Sequence, residues 1–399
     1  MNKEQYIASA EKAFYKTYNR FPVVFDRGEG VHLYDTDGQE YLDFGAGIAV
    51  MGLGYNHPEY TKAMKEQAGK LMHTSNLFYN TPSILAAEKL LKVSGMDKVF
   101  FTNSGTEAIE GALKIARRYA YNKTGGSAYE IIAMEHSFHG RSTGALAVTG
   151  NDHYQEPFRP LMPGVKFAKF NDLDSVRALV NDKTCAVILE TVQGEGGIYP
   201  ASKEFLEGVR AICDECDLIM ILDEIQCGMA RSGNMFAWQK FGVKPDVMTV
   251  AKALGNGFPV GAFLACGKAA DAMVPGDHGT TYGGNPFAGA AADAVLTIFE
   301  KEHVLEHVNE IAPYLAERLD QVAARHACVK DHRGVGLIRG LEFDCPAGPI
   351  IKDALLNQKL VLIGAGANII RFVPPLVIEK SDVDQMIERL ERAIEAAAE

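Results

Sequence analysis

The run Leu218-Ile-Met-Ile-Leu222 leads directly into Asp223-Glu-Ile-Gln226, and further along the chain stands Ala251-Lys252-Ala253-Leu254-Gly255. Five uninterrupted apolar residues suit a strand buried on both faces, the kind found in parallel sheets covered by helices. An acid at the mouth of such a strand and a lysine in a small-residue, glycine-flanked loop can grip opposite ends of one aromatic cofactor. Each residue alone has an ordinary explanation, since an aspartate after a strand often caps a helix and most lysines are solvated. Their meaning depends on what surrounds them.

Outward from this run, short apolar stretches alternate with amphipathic ones: Lys98-Val-Phe-Phe101, Glu130-Ile-Ile-Ala-Met134, Ala186-Val-Ile-Leu189, Asp246-Val-Met-Thr-Val250 and Gly261-Ala-Phe-Leu-Ala265. The alternation predicts an α/β fold with a large, mostly parallel sheet covered by helices, whose ligand sits beyond the carboxyl ends of the strands. The flanks differ. Residues 30–44 read as two alternating strands around Asp37-Gly38, a hairpin signal. Gly340-Leu-Glu-Phe343 and Asn368-Ile-Ile-Arg-Phe-Val373 read as strands, and Ser381 is expected to open a last helix with Asp384 in capping-box position. The pattern predicts a small α+β domain built from both chain ends, residues 1–55 and 291–399, around a large domain at 56–290.

Composition narrows the function. The 399 residues exceed the roughly 100–200 of one domain. Hydrophobic residues at 47% and charged residues at 23% are ordinary for a globular chain. Forty Lys plus Arg against 51 Asp plus Glu give a net charge of −11, with no basic block to track a nucleic-acid backbone. The charged start Met1-Asn-Lys-Glu is unlike a signal peptide, and no apolar run approaches the ~20 residues of a membrane span. Seven cysteines, an odd number, argue against a disulfide framework, and the chain is expected to be cytoplasmic. Cys213 and Cys216 form a Cys-x-x-Cys late in a helical stretch, away from the helix start that would activate a redox thiol.

Four further segments carry chemistry. Thr102-Asn-Ser-Gly-Thr106 lies between a strand and a helix, so free N–H groups and the hydroxyls of Ser104 and Thr106 can cup an anion; an ordinary Asn/Ser cap is the plainer reading. The spacings of dinucleotide and nucleotide loops are absent, which disfavours a nicotinamide dehydrogenase. Glu135-His-Ser-Phe-His-Gly-Arg141 offers Phe138 as a flat face for an aromatic cofactor and Arg141 as a carboxylate clamp. His136 and His139 lack a third ligand, so no metal is expected. Glu190-Thr-Val-Gln-Gly-Glu-Gly-Gly197 sets two carboxylates after a buried strand, and His278-Gly-Thr-Thr-Tyr-Gly-Gly-Asn-Pro286 is a small-residue loop. Together they suit pyridoxal 5′-phosphate, whose aldehyde needs a lysine and whose ring nitrogen needs a carboxylate to stay protonated.

With these segments in order, the chain from about Asn19 to its last helix resembles the class III aminotransferases, pyridoxal-phosphate enzymes of the aspartate-aminotransferase fold. The resemblance implies that Lys252 bonds the cofactor aldehyde, Asp223 holds the ring nitrogen and Gln226 the ring hydroxyl. It implies that Phe138 stacks on the ring and that Ser104, Gly105 and Thr106 bind phosphate. Thr281 would reach the phosphate of a neighbouring subunit's cofactor, making the working unit a homodimer with shared sites, and Thr280 would lie at the substrate. Arg371 matches the arginine for the α-carboxylate of glutamate, Glu195 the carboxylate that neutralises it for an ω-amine donor, and Arg141 the distant carboxylate's partner.

The implied reaction moves the terminal amine of N2-acetyl-L-ornithine to 2-oxoglutarate, giving glutamate, as in arginine biosynthesis. Members that use ornithine carry a tyrosine where Ile48 aligns, and the smaller residue leaves room for an acylated amine. Ornithine, succinylornithine and GABA-type donors are the alternatives, as are an aminomutase or decarboxylating transaminase on the same scaffold. A catalytically silent cofactor-binding protein is the reading from another class.

Overall fold

The computed structural model describes residues 1–398. Seven strands form its central sheet in the spatial order Lys98–Thr102, Gly261–Ala265, Val247–Val250, Ile219–Asp223, Thr184–Glu190, Glu130–Met134, Val165–Ala168. All neighbours pair in parallel except Gly261–Ala265, which runs against both strands beside it. The predicted mostly parallel sheet is present, and the sequence reading had no strand at Val165–Ala168, a short, half-buried edge.

Side-chain alternation explains why the strands are apolar throughout. Ile219 and Ile221 point into the same core as Ile109, Ala112 and Ala116 of the helix Gly105–Thr124. Met220 and Leu222 point the other way, into the core with Phe205, Val209 and Ile212 of the helix Lys203–Glu215. Both faces are covered, and each fully buried Ile, Leu or Met contributes about 1.5–3 kcal/mol. Gly111 lets the first helix settle onto the sheet, since a Cβ there would lie 2.1 Å from the ring of Phe263.

The chain ends build the smaller sheets. The hairpin His32–Asp35 and Glu40–Asp43 turns at Gly38 (φ +81°), as its Asp-Gly signal predicts, and gains a third strand, Phe25–Glu29. Leu360–Val361 adds to it in parallel, pairing Leu360 with Leu42, so the two ends of the chain share one sheet. A second four-stranded sheet contains Val329–Val335, Ile338–Phe343, Ile369–Phe372 and Ile363–Gly364. The last helix is Lys380–Ala398, and its start differs from expectation. Asp382, not Asp384, takes the capping bond, from Glu379 N at 2.8 Å, while Asp384 accepts from Tyr314 Oη at 2.6 Å on the neighbouring helix. Among the described residues no helix is long and apolar enough to cross a membrane.

Parallel pairing puts the ends of Glu130–Met134, Thr184–Glu190, Ile219–Asp223 and Val247–Val250 along one edge, and Lys98–Thr102, antiparallel to the reversed strand, ends there too. Every segment singled out after a strand therefore opens on the same side.

Candidate active site

A cavity of about 410 Å³ lies at that edge, lined by Ser104, Gly105, Thr106, Phe138, Arg141, Asp223, Gln226 and Lys252 among others. Asp223 ends its strand in register with Glu190 and Thr249 and is 4% exposed. Its Oδ1 accepts from Thr249 Oγ1 at 3.1 Å and Ile225 N at 3.0 Å, and its Oδ2 lies 2.7 Å from His139 Nδ1. Burial works against a charged His139, but the hydrogen bond to Asp223 and the charges of Asp223 and Glu190 outweigh it, raising the imidazole pKa above its ordinary value. The carboxylate is thereby held in one orientation by three donors.

Lys252 opens a single 3-10 turn, Lys252–Leu254, directly after the strand Val247–Val250, with φ +47°. A left-handed backbone is unfavourable for a lysine and persists only where its surroundings fix it. Burial pushes its amine down to about 8; the charge of Glu195 opposes this and that of Arg371 adds to it.

At the other end of the cavity the helix Gly105–Thr124 begins. Ser104 caps it, its Oγ accepting from Glu107 N, and Gly105 packs so tightly that a Cβ would stand 2.9 Å from Ile225 Cδ1. Ser142 N donates to Thr106 Oγ1 at 3.1 Å, Thr106 Oγ1 lies 2.7 Å from Ser142 Oγ, and Ser142 Oγ donates to Glu110 Oε1 at 2.5 Å. Phe138 N donates to Glu190 Oε2 at 3.1 Å, which fixes the backbone beneath the ring. Burial raises the Glu190 carboxyl to about 7. Arg141 is exposed, its guanidinium 3.9 Å from the centre of the Tyr154 ring.

Arg371 and Glu195 meet beside the cavity. Arg371 Nη1 donates to Glu195 Oε1 at 2.5 Å and Nη2 to Oε2 at 3.2 Å, a bidentate pair, although Arg371 is only 3% exposed. Gln226 joins them, accepting from Arg371 Nη1 at 3.1 Å and donating to Glu195 Oε1 at 3.4 Å. Burial would raise the Glu195 carboxyl, but the Arg371 charge prevails and holds it below the usual range.

Two expected residues stand apart. Thr281 is exposed, and Thr280 turns its hydroxyl to its own loop, accepting from Gly283 N at 3.1 Å; neither lines the cavity. Sequence reasoning missed His139 as the support of Asp223, and Ser142 with Glu110 behind Thr106. Position just after a strand was the only signal for the first, and nothing local marked the second. Among the described residues no group of three or more His, Cys, Asp or Glu gathers as a metal site.

Residues 13–394 match the family described as aminotransferase class-III. The chain is 50% identical over 379 residues to the acetylornithine aminotransferase of Clostridium acetobutylicum, which covers 95% of this chain and 98% of the relative. It is 43% identical over 391 residues to that of Methanocaldococcus jannaschii, covering 98% of each. Its structure is similar to the ornithine aminotransferase of Toxoplasma gondii, with a TM-score of 0.95 at 28% identity, covering 100% of this chain and 96% of the other. An acid and an amine facing one cavity, an anion cup opposite and a match over nearly the full length lead to one conclusion: the chain belongs to the class-III aminotransferases.

Proposed function

We propose that the protein is a pyridoxal-phosphate-dependent transaminase that moves the terminal amine of N2-acetyl-L-ornithine to 2-oxoglutarate. The residues present fit the cofactor. A 20-residue helix points its N-terminus into the cavity, a carboxylate held by three donors suits a protonated ring nitrogen, and a buried amine near pKa 8 suits an aldehyde. Ser104, Gly105 and Thr106 would hold the phosphate, Asp223 the ring nitrogen, Phe138 the ring face, Gln226 the ring hydroxyl and Lys252 the aldehyde. When bound, the cofactor supplies a ring that takes up electrons from the carbon carrying the substrate amine.

The chain's own residues do the rest. Lys252 Nζ, its proton affinity lowered by burial, carries the proton away from the amine-bearing carbon and returns it in the reverse half-reaction. His139 keeps Asp223 oriented and charged-paired at the base of the site. Arg141 binds the carboxylate distant from the reacting carbon.

The observation that carries the reading is the Arg371–Glu195 pair. A dedicated, buried arginine covered by a bidentate carboxylate is what a site needs when one donor brings an α-carboxylate to that position and the next brings only methylenes. With Glu195 in place the guanidinium is neutralised for an ω-amine, and with Glu195 withdrawn it is free for glutamate.

The test compares N-acetylornithine, ornithine, succinylornithine and GABA as donors to 2-oxoglutarate. N-acetylornithine should give the highest kcat/KM, with glutamate formed in ping-pong kinetics; a clear preference for GABA or ornithine, or no glutamate from any donor, refutes the assignment. Lys252→Ala should lower turnover by at least about 10³-fold.

The same reading extends to organisation. We infer a homodimer with shared sites, in which Thr281 reaches the partner's phosphate and Thr280 the substrate. It is supported by Leu77, Phe78, Tyr79 and Tyr282, all large and exposed on one region of the surface. Residues 56–290 would form the large domain and 1–55 with 291–399 the small one. We further infer a role in arginine biosynthesis, in the cytoplasm.

A further inference from the structure

Among the described residues Arg231 is the largest side chain under 2% exposed, and it pairs with no carboxylate. Its Nη1 donates to the carbonyl oxygens of Leu337, at 3.2 Å, and Pro374. Its Nε and Nη2 have no partner among the described residues, and burial pushes its pKa down to about 9. A guanidinium in the core with two neutral acceptors is unfavourable, since burying an unpaired charge opposes folding. Its backbone neighbours add to this: Met229 and Ala230, neither a glycine, sit at φ +51° and +65°.

The two carbonyls identify what the arrangement does. Arg371 lies on Ile369–Phe372, paired with Ile338–Phe343 in a register that matches Gly340 with Arg371 and Arg339 with Phe372. Continued outward, that antiparallel register brings Leu337 opposite Pro374. This next rung cannot form. Pro374 has no N–H, and the Leu337 N–H donates instead to Arg231 O at 2.8 Å. Both carbonyls, left without each other's amides, are taken by one guanidinium. The backbones also touch here, for a Cβ on Gly336, at φ +52°, would stand 2.4 Å from Arg231 O. Arg231 itself ends the turn that descends from Asp223 through the bonds Gly228 N to Glu224 O and Arg231 N to Gly228 O.

We propose that Arg231 is a positioning residue for the α-carboxylate end of the site: it closes the strand pair bearing Arg371 and ties it to the turn below Asp223, so that the Arg371 guanidinium keeps a fixed alignment with the cofactor cavity. The proposal rests on the reading above that Arg371 receives the α-carboxylate of glutamate. It separates Arg231 from a merely structural residue, because the two donors use Arg371 differently. Glutamate binds to it, whereas an ω-amine donor meets it already neutralised by Glu195.

The experiment uses holoenzyme carrying Arg231→Met or Arg231→Lys, with KM and kcat measured for glutamate and for N-acetylornithine and the absorbance of the bound cofactor recorded. Arg231→Met should raise KM for glutamate by roughly tenfold or more and KM for N-acetylornithine by less than about threefold, with cofactor absorbance unchanged. Arg231→Lys, which keeps a donor but not the rigid fork, should fall between wild type and Arg231→Met. Equal rises in both KM values, no change in either, or loss of the cofactor band would overturn the proposal. If Arg231→Met does not fold, Arg231→Lys decides alone, and an unaltered ratio of its two KM values overturns it. Holoenzyme carrying Arg371→Lys tests the underlying reading: an unchanged KM for glutamate there refutes the role of Arg371 whatever Arg231→Met shows, so the two failures are distinguishable.

Discussion

Lys252 illustrates how a residue can be placed at a cost to the fold that holds it. Its folded-state pKa of about 8 lies below the ordinary lysine value of 10.5, so between these limits the unfolded chain binds more protons than the native one. Stability contributed at this position therefore rises with pH across that window, and below pH 8 the penalty of the charged amine is fully present. Cofactor-free Lys252→Met protein should accordingly melt at a higher temperature than cofactor-free wild type at pH 7, and the difference should shrink as pH approaches 10; a difference that widened would contradict the assignment. Glu195→Gln should act on selectivity. It keeps one acceptor oxygen for Arg371 but loses the second and removes the neutralising charge, so kcat/KM for N-acetylornithine should drop by at least about tenfold while that for glutamate changes little. Of these residues, Asp223 and Lys252 were legible because strand ends and glycine-flanked loops announce themselves. His139 was not: its partner Asp223 lies 84 positions away, and a histidine beside a second histidine suggests a metal before it suggests a support.

A conspicuous element is one that sequence could not announce. Ala46, Gly47, Ile48 and Ala49 have φ of 47°, 60°, 66° and 63°, one turn of left-handed helix containing three non-glycine residues. L-residues pay about 1–2 kcal/mol each for that conformation, so neither Ala nor Ile signals it. It is held by Asp43, fully buried, whose Oδ1 accepts from Gly45 N at 2.8 Å and Ala46 N at 3.0 Å and whose Oδ2 accepts from Tyr55 Oη at 2.6 Å. Asp43→Ala would strand two amides and a phenol, and should lower unfolding free energy by about 2–5 kcal/mol in urea titrations. The strands, by contrast, were read in advance wherever burial on both faces made them uniformly apolar. Val165–Ala168 and Val329–Val335 escaped because they are only partly buried and carry polar residues, as in Val-Lys-Asp-His-Arg-Gly-Val.

At the scale of the whole molecule, a chain with net charge −11 should resist indiscriminate association, yet it leaves Leu77 87%, Phe78 69% and Tyr79 97% exposed. The proposed homodimer would resolve that contrast. Sedimentation should give about twice the 43.4 kDa chain mass, and Phe78→Asp should shift the population toward single chains and reduce turnover together. The parallel sheet's one reversed strand has a consequence of its own. Because Gly261–Ala265 runs against Val247–Val250, the backbone leaves the sheet at Val250 and re-enters the adjoining row on the same side. The amine of Lys252 thus hangs from a bridge moored at both banks. A circularly permuted molecule opened between Gly257 and Phe258 would retain every functional group and lose one mooring, separating what tethering contributes from what acid–base chemistry contributes.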